Sequence, residues 1–597
     1  MKRIALIGHR GVGKTSLLKR IEFYFAGTGR KIHFLDLDRE IRERAGTDLQ
    51  KIFETQGEEA FRKLERQTFS TIDSETRDRD VYLALGAGFD PALIPETWTV
   101  LWVRRSTDEA GRIFIDRPRL NSKVTALEEF QERYHRRESA YRARADQVLW
   151  LDEGSDLNND PAERSFFLGE LKNLKGAMTI LPAQFRSREK LETWAMERAG
   201  WGIQWFELRD DLLTEEQMSL AANLFPDDRI LVSFRNQERV TQTTELVQRQ
   251  ALAFDWPLEM GECEFAEPTI LSLHERRGEE SIAQCLERFP SQTSSQMKAA
   301  LPVRNFEELK TGDLWRKQDP SARCFLPHST DGRWHWYRMS LARSQPLNFI
   351  REGDGSGADQ PTLLRWARLS EKTEEFAAVL GDPVKHSRTP MEQREFFRPR
   401  PVVSIRATEQ EVQSGALEVL AELGLRWAAV TSPLKELAFE ACVQLDEASR
   451  ALRSVNTLQR FGAIWSGANT DLDGLREALS ELPRGRVAVW GGGGTLNVIR
   501  SVLPQAQFFS LRTRENRDSS GPRADEYSPD LVIWAVGRSK ADINDPPEKW
   551  RPELVFDLNY SEDSPGRAFA LNSGSRYISG LSMFQAQARA QRKFWKL

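Results

Sequence analysis

Short apolar runs alternate with amphipathic stretches along most of the chain, which is the pattern of a parallel β/α fold. The stretch 14–25 has apolar residues at helical spacing, and a basic helical stretch is expected to end near Trp150. The segment 152–165 is rich in Asp, Asn, Gly and Pro, and we interpret it as a domain boundary. The apolar runs of the first 105 residues, each expected to be a strand, are 2–7, 31–35, 81–85 and 98–103.

A second series of apolar runs begins near residue 176, and each run carries polar or charged residues toward its end. Helical stretches separate the runs, so repeated β-α units are expected. This arrangement is typical of a (β/α)8 barrel, whose active site lies at the carboxyl ends of the strands. The runs are AMTILPA (177–183), GIQWFELR (202–209), DRILVSFR (228–235), WPLEM (256–260) and EPTILSLH (267–274).

A third α/β region opens at FAAVLG, residues 376–381, and a glycine cluster follows the apolar run 486–490. We therefore expect this region to hold two lobes. The prediction is an α/β protein with the following domains. They are a P-loop domain at 1–172, a (β/α)8 barrel at 173–370 and a two-lobed domain at 371–597. One lobe of the last domain comprises about 371–483 plus the C-terminal helix, and the other is a Rossmann lobe at about 484–575.

Composition narrows the class of protein. Charge is balanced, with 85 basic and 89 acidic residues, which argues against a nucleic-acid or membrane-surface binder. Hydrophobic residues make up 40% of the chain, so overall disorder is excluded. The four cysteines lack a C-x-x-C pair and fit a reducing compartment, and neither a signal peptide nor a membrane span is expected. We predict a cytoplasmic protein with small-molecule partners, and a homodimer is one option.

The first chemical motif is a glycine loop between a predicted strand and a predicted helix. The run 8–15 fits G-x-x-x-x-G-K-[ST], in which backbone N–H groups wrap phosphate oxygens. Lys14 would reach the outer phosphates, and the Thr15 hydroxyl would ligate Mg²⁺. ATP is favoured over GTP because no guanine-reading N-K-x-D follows. The cofactor-binding residues expected here are Gly8, Gly11, Gly13, Lys14 and Thr15.

The residues after this loop resemble shikimate kinase over most of 1–150, on F-L-D-L-D at 34–38 and I-F-E-x-x-G-E-x-x-F-R-x-x-E at 52–65. The resemblance implies that Asp36 lies near Mg²⁺ and that Asp38 binds shikimate hydroxyls and orients the nucleophile. Ala87 stands where the family has a third glycine. The resemblance further implies that Gly86 and Gly88 line the shikimate site and that Arg62 and Arg137 hold the carboxylate. It also implies that Arg117 is the lid arginine, and that Arg117 and Lys14 are both catalytic.

In the second region, His274 follows an apolar run and Lys298 lies in the largely apolar SSQMKAALPV. Burial there would favour the neutral amine, which can attack a ketone to form an imine. Taken alone, each residue is as well explained by a structural role. Together with E-L-R-D-D at 207–211 and S-F-R at 233–235, they resemble type I 3-dehydroquinate dehydratase over roughly 176–366.

This resemblance implies an imine at Lys298, proton transfer by His274, and Glu207 nearby. The family's E-G-G is absent, with Glu-Arg-Val at 238–240 instead. Arg338 or Arg343 could bind the carboxylate, and spacing slightly favours Arg338. The implied substrate-binding residues are Arg209, Arg235, Arg338 and Gln360, the last in an A-D-Q-P turn at 358–361.

The third region resembles shikimate dehydrogenase across 376–597. The strings that carry the resemblance are G-D-P-V-x-H-S-R-T-P at 381–390, V-T-S-P-L-K at 430–435, S-V-N-T at 454–457 and G-A-N-T-D at 467–471. It implies a catalytic pair, Lys435 and Asp471, in which an ammonium beside a carboxylate polarises the ketone as hydride arrives. The implied shikimate-binding residues are Ser387, Thr389, Thr431, Asn456, Tyr560 and Gln587.

A cofactor signal lies in the four glycines 491–494 after a predicted strand, of which Gly491, Gly493 and Gly494 are expected to bind the dinucleotide. The next strand is followed by Arg512 and Thr513 without an acidic residue, so NADP is favoured over NAD. Three positions depart from the family pattern: Ala429, Leu511 and Trp534.

Taken together, the regions predict a trifunctional enzyme of three consecutive steps, using ATP, Mg²⁺ and NADP(H). It would dehydrate 3-dehydroquinate, reduce 3-dehydroshikimate to shikimate, and phosphorylate shikimate. The order resembles the C-terminal part of the pentafunctional fungal shikimate-pathway polypeptide. Two alternatives stay open: a non-catalytic quinate- or shikimate-sensing regulator, since fungal repressors resemble the same regions, and the same fusion with one degenerate domain.

Overall fold

A computed structural model describes residues 2–106, 108, 126–152, 160–340, 344–369, 374–480, 482, 485–492, 495–536, 544–560 and 564–596. The chain divides into two compact units. The first comprises 1–109 and 132–374, and the second comprises 110–131 and 375–597. None of the described helices is long and apolar enough to cross a membrane.

The first unit begins with a parallel sheet in the order β2-β3-β1-β4-β5. Strand β1 lies at its centre and is buried at every position, which explains its unbroken apolar run. Within the described residues the strands are β1 Arg3–Ile7, β2 Ile32–Asp36, β3 Asp80–Ala84, β4 Thr99–Arg105 and β5 Gln147–Leu151. The helices of this part are α1 Lys14–Phe25, α2 Leu37–Ala45, α3 Leu49–Glu75, α4 Ala126–Arg144 and α5 Pro161–Leu168.

One sequence expectation fails here. The basic helix, expected to end near Trp150, ends at Arg144, and Trp150 belongs to strand β5. The alternation of buried and half-buried positions along QVLWL is that of an edge strand, which pairs only with β4. Its side chains therefore remain available to contact other parts of the unit.

The second sheet of this unit is parallel, in the order β12-β11-β10-β9-β8-β7-β6. Its described strands are β6 Ala177–Thr179, β7 Trp205–Arg209, β8 Ile230–Ser233, β9 Ala253–Pro257, β10 Ile270–Leu273, β11 Gln296–Ala299 and β12 Arg323–Phe325. The helices are α6 Arg188–Gly200, α7 Glu215–Leu224, α8 Val240–Gln250, α9 Ile282–Leu286, α10 Phe306–Gln318, α11 His335–Ser340 and α12 Leu363–Ala367.

This second sheet has the β/α alternation of the predicted barrel. Strand β6, at its edge, forms a parallel bridge to the segment around Phe349 through Ala177. The Ala177 N–H donates to Asn348 O at 2.8 Å, and the Ile350 N–H donates to Ala177 O at 2.8 Å. The described pairings therefore extend the sheet beyond β6, and the complete (β/α)8 barrel stays a prediction.

The two sheets of the first unit share a hydrophobic core. A continuous cluster of buried side chains includes Leu6 and Leu18 near the first sheet, Phe167 on α5, and Phe206 and Trp366 near the second. The segment interpreted from sequence as a boundary thus leads into helix α5, which packs on both α1 and α12. The boundary at 172 stays a prediction about sequence modules, because the core is continuous across it.

The second unit contains a mixed sheet and a parallel sheet, in the orders β14-β13-β15-β17-β18-β16 and β20-β19-β21-β22-β23. The described strands are β13 Phe376–Gly381, β14 Val402–Arg406, β15 Leu425–Val430, β16 Cys442–Leu445, β17 Thr457–Phe461, β18 Ile464–Ala468, β19 Val487–Gly491, β20 Gln507–Phe509, β21 Leu531–Ala535, β22 Leu554–Asp557 and β23 Arg576–Ser579. The helices are α13 Thr389–Phe397, α14 Glu409–Gln413, α15 Ala416–Glu422, α16 Lys435–Ala441, α17 Glu447–Leu452, α18 Asp471–Leu479, α19 Leu496–Val502, α20 Pro565–Ser573 and α21 Leu581–Trp595.

Helices α18 and α21 pack closely together, and Gly474 explains why. A Cβ atom at Gly474 would lie 3.0 Å from the backbone oxygen of Met583 and 3.0 Å from Gln587 Cβ. The C-terminal helix therefore rests directly on α18, which begins at Asp471 and follows the first sheet of the unit. This packing brings Gln587 beside the helix that carries Asp471.

Candidate active sites

The glycine loop connects β1 to α1, and backbone conformation explains its glycines. Gly11 and Gly13 have φ of 76° and 99°, in the left-handed region, and a Cβ atom at Gly8 would lie 2.4 Å from Val103 O. The Lys14 ammonium donates to Gly8 O at 2.7 Å and His9 O at 3.0 Å. Burial lowers the pKa of Lys14 to about 8, although Asp38 raises it in part.

Thr15 and Asp36 meet beside this loop, as the sequence predicts. Thr15 Oγ1 donates to Asp36 Oδ2 at 2.7 Å, while Asp36 Oδ1 caps helix α2. In the part of the chain that the structure describes, no cluster of three His, Cys, Asp or Glu side chains suited to a metal is present. A hydroxyl and one carboxylate nevertheless fit Mg²⁺, which keeps several waters and binds phosphate oxygens.

The predicted shikimate residues lie next to one another around the 86–88 turn. A Cβ atom at Gly86 would lie 2.9 Å from Glu65 Oε1 and 3.1 Å from Asp38 Oδ1. One at Gly88 would lie 2.2 Å from a nitrogen of Arg62. The absence of a side chain at both glycines therefore leaves the space that the ends of these side chains occupy beside the turn.

The charges at this turn suit a carboxylate ligand. Burial, together with the cations Arg133 and Arg62, lowers the pKa of Arg137. Two guanidinium groups that repel one another and lose water are stabilised by an anion between them. Arg62 also forms an ion pair with Glu65, whose pKa is raised by burial. The role of Arg62 and Arg137 as carboxylate ligands stays a proposal.

Two contacts at this site were missed by sequence reasoning. The Tyr141 hydroxyl lies 2.6 Å from Ala87 O and 3.2 Å from Gly8 O, so it links the 86–88 turn to the glycine loop. Glu65 was recognised only as part of a motif, without a role. A tyrosine on a helical face gives no sequence signal of this kind, because its partners are backbone oxygens. Arg117, the predicted lid arginine, lies outside the described residues.

In the second sheet of the first unit, the predicted lysine is buried and the predicted histidine is half-buried, at the carboxyl ends of neighbouring strands. Lys298 lies on β11, is 2% exposed, and pairs in register with Ser272 of β10. His274 directly follows β10, and its Nε2 lies 3.0 Å from Ser272 Oγ. Burial, with Arg235 and Lys298, holds the pKa of His274 well below its usual value. The imidazole is therefore neutral at pH 7 and can accept a proton.

Asp255 on β9 is the main residue of this site that sequence reasoning missed. It forms ion pairs with Lys298 and with Arg235, the latter at 2.6 Å, and it is fully buried. Burial alone would raise the pKa of Asp255, but the two cations hold it below its usual range. Burial lowers the pKa of Lys298, and Asp255 partly opposes that shift. The sequence signal for Asp255 was the run AFDWP, which forms β9. The predicted strand, WPLEM, was placed too late in the chain and ends three residues after β9 does, so it left Asp255 out.

The other predicted dehydratase residues differ in the groups that they contact. Glu207 accepts from Ser233 Oγ at 2.8 Å and from Thr179 Oγ1 at 2.5 Å, near Lys298. Arg209 is turned toward Asp211, with bonds of 2.9 and 2.6 Å.

Arg338 is buried, and burial lowers its pKa to about 10, with Asp359 as the opposing charge. The amide of Gln360 bonds within its own turn, to Ser356 Oγ at 2.6 Å and from the Ser356 N–H at 3.0 Å. Arg343, the alternative to Arg338, lies outside the described residues.

In the second unit, the predicted catalytic pair is in direct contact. Lys435, at the start of α16, lies 2.5 Å from Asp471 Oδ2 at the start of α18. The Asn456 amide donates to Asp471 Oδ1 at 2.7 Å, and the Asn456 oxygen accepts from the Thr470 N–H at 2.8 Å. Three predicted residues from separate motifs thus form one cluster, which is largely buried.

The remaining predicted shikimate ligands of this unit come from separate elements: Ser387 and Thr389 lie just before and at the start of α13, Thr431 follows β15, Tyr560 follows β22, and Gln587 lies on α21. Ser387 Oγ lies 3.1 Å from Thr389 Oγ1. A Cβ atom at Gly381 would lie 2.3 Å from Thr431 Cγ2, so the end of β13 and the Thr431 turn are in close contact. The Tyr560 ring is tilted against the Phe584 ring, with ring centres 5.0 Å apart, and the Arg388 guanidinium lies over Tyr560, 5.5 Å from its ring centre.

The dinucleotide-binding prediction rests on fewer described residues. Gly491 ends β19 with φ of 94°, and a Cβ atom there would lie 2.8 Å from Ala535 O. Gly493 and Gly494 lie outside the described residues. Arg512 and Thr513 follow β20 and are exposed. Asn544 links Arg512 O, at 2.7 Å, to the Trp490 indole N–H, at 3.1 Å. The departing residues Leu511 and Trp534 are buried side chains of the lobe core.

With this geometry established, comparison with known proteins assigns two of the regions. A shikimate kinase family model matches residues 10–159, and a model of the shikimate dehydrogenase substrate-binding domain matches residues 379–458. A shikimate dehydrogenase (NADP(+)) of Stenotrophomonas maltophilia is 37% identical over 202 residues, 32% of this chain and 68% of that protein. The chain belongs to the shikimate dehydrogenase family. It carries a shikimate kinase domain as well.

Other relatives are covered less completely. The shikimate dehydrogenase (NADP(+)) of Syntrophobacter fumaroxidans is 36% identical over 132 residues, 21% of this chain and 45% of that protein. The chain thus spans about half the length of several curated relatives that it matches. The crystal structure of shikimate dehydrogenase 1 from Peptoclostridium difficile covers 37% of this chain and 92% of its own, at 17% identity and a TM-score of 0.33.

The two assigned domains imply their cofactors: ATP and Mg²⁺ for shikimate kinase, and NADP for shikimate dehydrogenase. These predictions are confirmed, as is the P-loop domain, and the parallel sheet β20-β19-β21-β22-β23 fits the predicted Rossmann lobe. Neither family match includes residues 160–378, which contain Lys298 and His274. The dehydratase activity and the individual residue roles therefore remain to be proposed.

Proposed function

We propose that this chain catalyses three consecutive reactions: dehydration of 3-dehydroquinate, NADPH-dependent reduction of 3-dehydroshikimate, and ATP-dependent phosphorylation of shikimate. One observation carries the dehydratase step. Lys298 is buried beside Asp255 and near a neutral His274 at the carboxyl ends of adjacent strands, in a chain with both partner domains. The product of each step is the substrate of the next.

At the dehydratase site, Lys298 must lose a proton before it can attack the ketone carbon. Burial favours the neutral amine, while Asp255 holds the protonated form until substrate enters. Attack forms the C–N bond, and loss of the ketone oxygen as water gives the imine. Neutral His274 removes a proton from the carbon beside the imine. The neighbouring hydroxyl leaves as water, and hydrolysis then releases 3-dehydroshikimate and restores the lysine.

At the dehydrogenase site, Lys435 and Asp471 act as a pair on the ketone. NADPH, when bound, supplies the hydride. Asp471 holds the Lys435 ammonium in place, so that it can donate to the ketone oxygen and transfer a proton as the alcohol forms. Asn456 fixes the Asp471 carboxylate from the other side. NADP is preferred because Arg512 offers a guanidinium to a 2′-phosphate and the residues directly after β20, 510–513, include no acidic side chain.

At the kinase site, Asp38 accepts the proton of the attacking shikimate hydroxyl, and Arg62 and Arg137 hold the carboxylate. Bound ATP and Mg²⁺ supply the phosphoryl group. Thr15 and Asp36 would hold the cation, and Lys14 would exchange its bonds to Gly8 O and His9 O for phosphate oxygens. An incoming anion also restores the charged form of a lysine whose pKa burial has lowered.

The experiment that tests the uncertain step traps the imine. Full-length protein is incubated with 3-dehydroquinate and borohydride, which reduces an imine to a stable amine, and peptides are analysed by mass spectrometry. We expect a substrate adduct on Lys298 and none in Lys298→Ala. No adduct and no dehydration would contradict the proposal. If the compounds bind in calorimetry and none of the three is turned over, the sensing regulator is the better account.

A further inference from the structure

The loop 351–361, which connects the segment around Phe349 to helix α12, carries Gln360 and has an unusual composition. Its sequence REGDGSGADQP contains three glycines, and Gly353 and Gly355 have φ of 61° and 60°. Glycines in such conformations lose much chain entropy when ordered. Glu352 anchors one end of the loop through the Trp194 indole N–H at 2.8 Å and Arg198 at 2.6 Å, both on α6.

The glycine-rich tip is held by the kinase domain instead. The Trp150 indole N–H, on edge strand β5, donates to Gly353 O at 2.8 Å. Arg104 on β4 donates to Asp354 Oδ1 at 2.8 Å, and Arg142 on α4 forms an ion pair with Asp354 Oδ2 at 2.5 Å. These contacts lie within the first compact unit, whose core is continuous across both sheets.

The same indole also supports the Gln360 turn. The Arg351 guanidinium lies over the Trp150 ring, 4.7 Å from its centre. From there Arg351 Nε donates to Gln360 O at 3.0 Å. The Trp150 indole thus bonds the loop tip through its N–H and supports Arg351 through its face, and Arg351 holds the backbone of Gln360.

We propose that Trp150 and Arg104 of the kinase domain are positioning residues for the dehydratase, which hold the 351–361 loop so that Gln360 is placed to bind substrate. This inference rests on the proposed dehydratase function. It makes the barrel site incomplete without the neighbouring domain. It also gives a reason for the order of the two domains in one chain, since β5 supplies the surface that the loop needs.

The test compares single substitutions in the full-length protein. Trp150→Phe keeps an aromatic ring at this position but removes the indole N–H that bonds Gly353 O. Asp354→Asn removes the carboxylate that pairs with Arg104 and Arg142. Trp102→Phe is the matched control for the first. Its ring also lies under Arg104, at 4.1 Å, and its indole nitrogen has no hydrogen-bond partner among the described residues. Asp518→Asn is the control for the second, because Asp518 pairs with Arg500 at a similar exposure in the second unit.

Two readouts are needed. Backbone amides of 351–361 should exchange hydrogen faster in Trp150→Phe and Asp354→Asn than in the unaltered protein or the controls. The KM for 3-dehydroquinate should rise about 3- to 10-fold, the range that loss of one hydrogen bond spans, with kcat nearly unchanged and kinase and dehydrogenase turnover unaffected. A purely structural defect would instead lower all three activities.

The outcomes separate the inference from the function beneath it. Unchanged exchange in 351–361, or an unchanged KM, would overturn the positioning role. If the unaltered protein does not dehydrate 3-dehydroquinate, the dehydratase proposal fails, and the catalytic half of the inference fails with it. The exchange data would then still decide whether the kinase domain holds the loop.

Discussion

The second sheet of the first unit and the shikimate dehydrogenase domain both place a lysine beside an aspartate, and the two lysines differ in burial. Lys298 has 3% of its side chain exposed and a fully buried partner, whereas the Lys435 side chain is 17% exposed. Asp255 is shared between Lys298 and Arg235, while Asp471 is shared between Lys435 and the neutral amide of Asn456. The first arrangement suits the nucleophile that we propose for the dehydratase, because burial favours its neutral amine, and the second suits the proposed contact of Lys435 with the ketone oxygen.

The kinase lysine adds a third environment. Lys14 is bonded to backbone oxygens of its own loop rather than to a carboxylate. Burial lowers the pKa of both Lys14 and Lys298, but only Lys298 has an aspartate in direct contact. In the reactions that we propose, one residue type serves three chemistries, and the neighbouring groups decide which. The predictions below test whether each environment determines its own reaction.

The largest effect is expected from removing each lysine. Lys298→Ala should lower the rate of dehydration at least about a thousand-fold, as loss of a nucleophile does, and leave reduction and phosphorylation intact. Lys435→Ala should instead lower the rate of reduction and leave dehydration and phosphorylation intact. Separate assays with 3-dehydroquinate, 3-dehydroshikimate and shikimate measure this. Loss of two activities from one substitution would contradict independent sites.

The next effect concerns the partner of Lys435. Asp471→Asn keeps the shape of the side chain and removes the charge that holds the ammonium, so kcat for reduction should fall about 10²- to 10⁴-fold. Stopped-flow absorbance of NADPH measures it. Dehydration by the same variant serves as the control. A fall in cofactor affinity with unchanged kcat would place Asp471 outside the proton-transfer step.

A smaller effect is expected at the cofactor site. Arg512→Ala should weaken NADPH binding about 10- to 100-fold, the range of one charge-assisted hydrogen bond, and barely change NADH binding. Titration calorimetry with both nucleotides checks this. Arg523→Ala, a nearby exposed arginine of the same lobe, is the matched control. Equal weakening of NADPH and NADH would mean that Arg512 does not contact the 2′-phosphate.

The smallest effect separates the two aspartates. The Asp255 carboxylate raises the pKa of Lys298, so Asp255→Asn should lower that pKa, and the free amine should form at lower pH. The acidic limb of kcat/KM for dehydration should therefore move to lower pH, by about one unit, the lower end of the effect of a close charge. Asp471→Asn should leave this limb in place. A shift to higher pH would contradict the assignment.

Much of the fold followed from apolar periodicity, because parallel strands buried on both faces read as short continuous runs. The strands of the first sheet and the β-loop-α opening lie within a residue or two of their predicted bounds. The strand β5 was missed because a long basic helix precedes it and its apolar alternation is short. The shared core of the first unit was beyond sequence analysis, since nothing in a linear pattern shows which apolar faces meet.

The site residues that could be predicted differ from those that could not for the same reason. Motif residues such as Lys435, Asn456 and Asp471 were predicted and meet in space, because each lies at a strand or helix end within a recognisable string. Asp255 and Tyr141 were not, since their partners come from strands and turns distant in sequence. The hydrogen bond from Trp150 to Gly353 of the 351–361 loop joins residues about 200 positions apart, so it is likewise visible only in three dimensions.

The most direct test of the central claim is a single reaction. Purified full-length protein is given 3-dehydroquinate, NADPH, ATP and Mg²⁺, and products are followed by mass spectrometry. Our account predicts that 3-dehydroshikimate and shikimate appear in turn and that shikimate 3-phosphate accumulates. Recovery of unchanged 3-dehydroquinate, with normal turnover of added 3-dehydroshikimate and shikimate, would contradict the assignment of Lys298 and leave a protein of two activities.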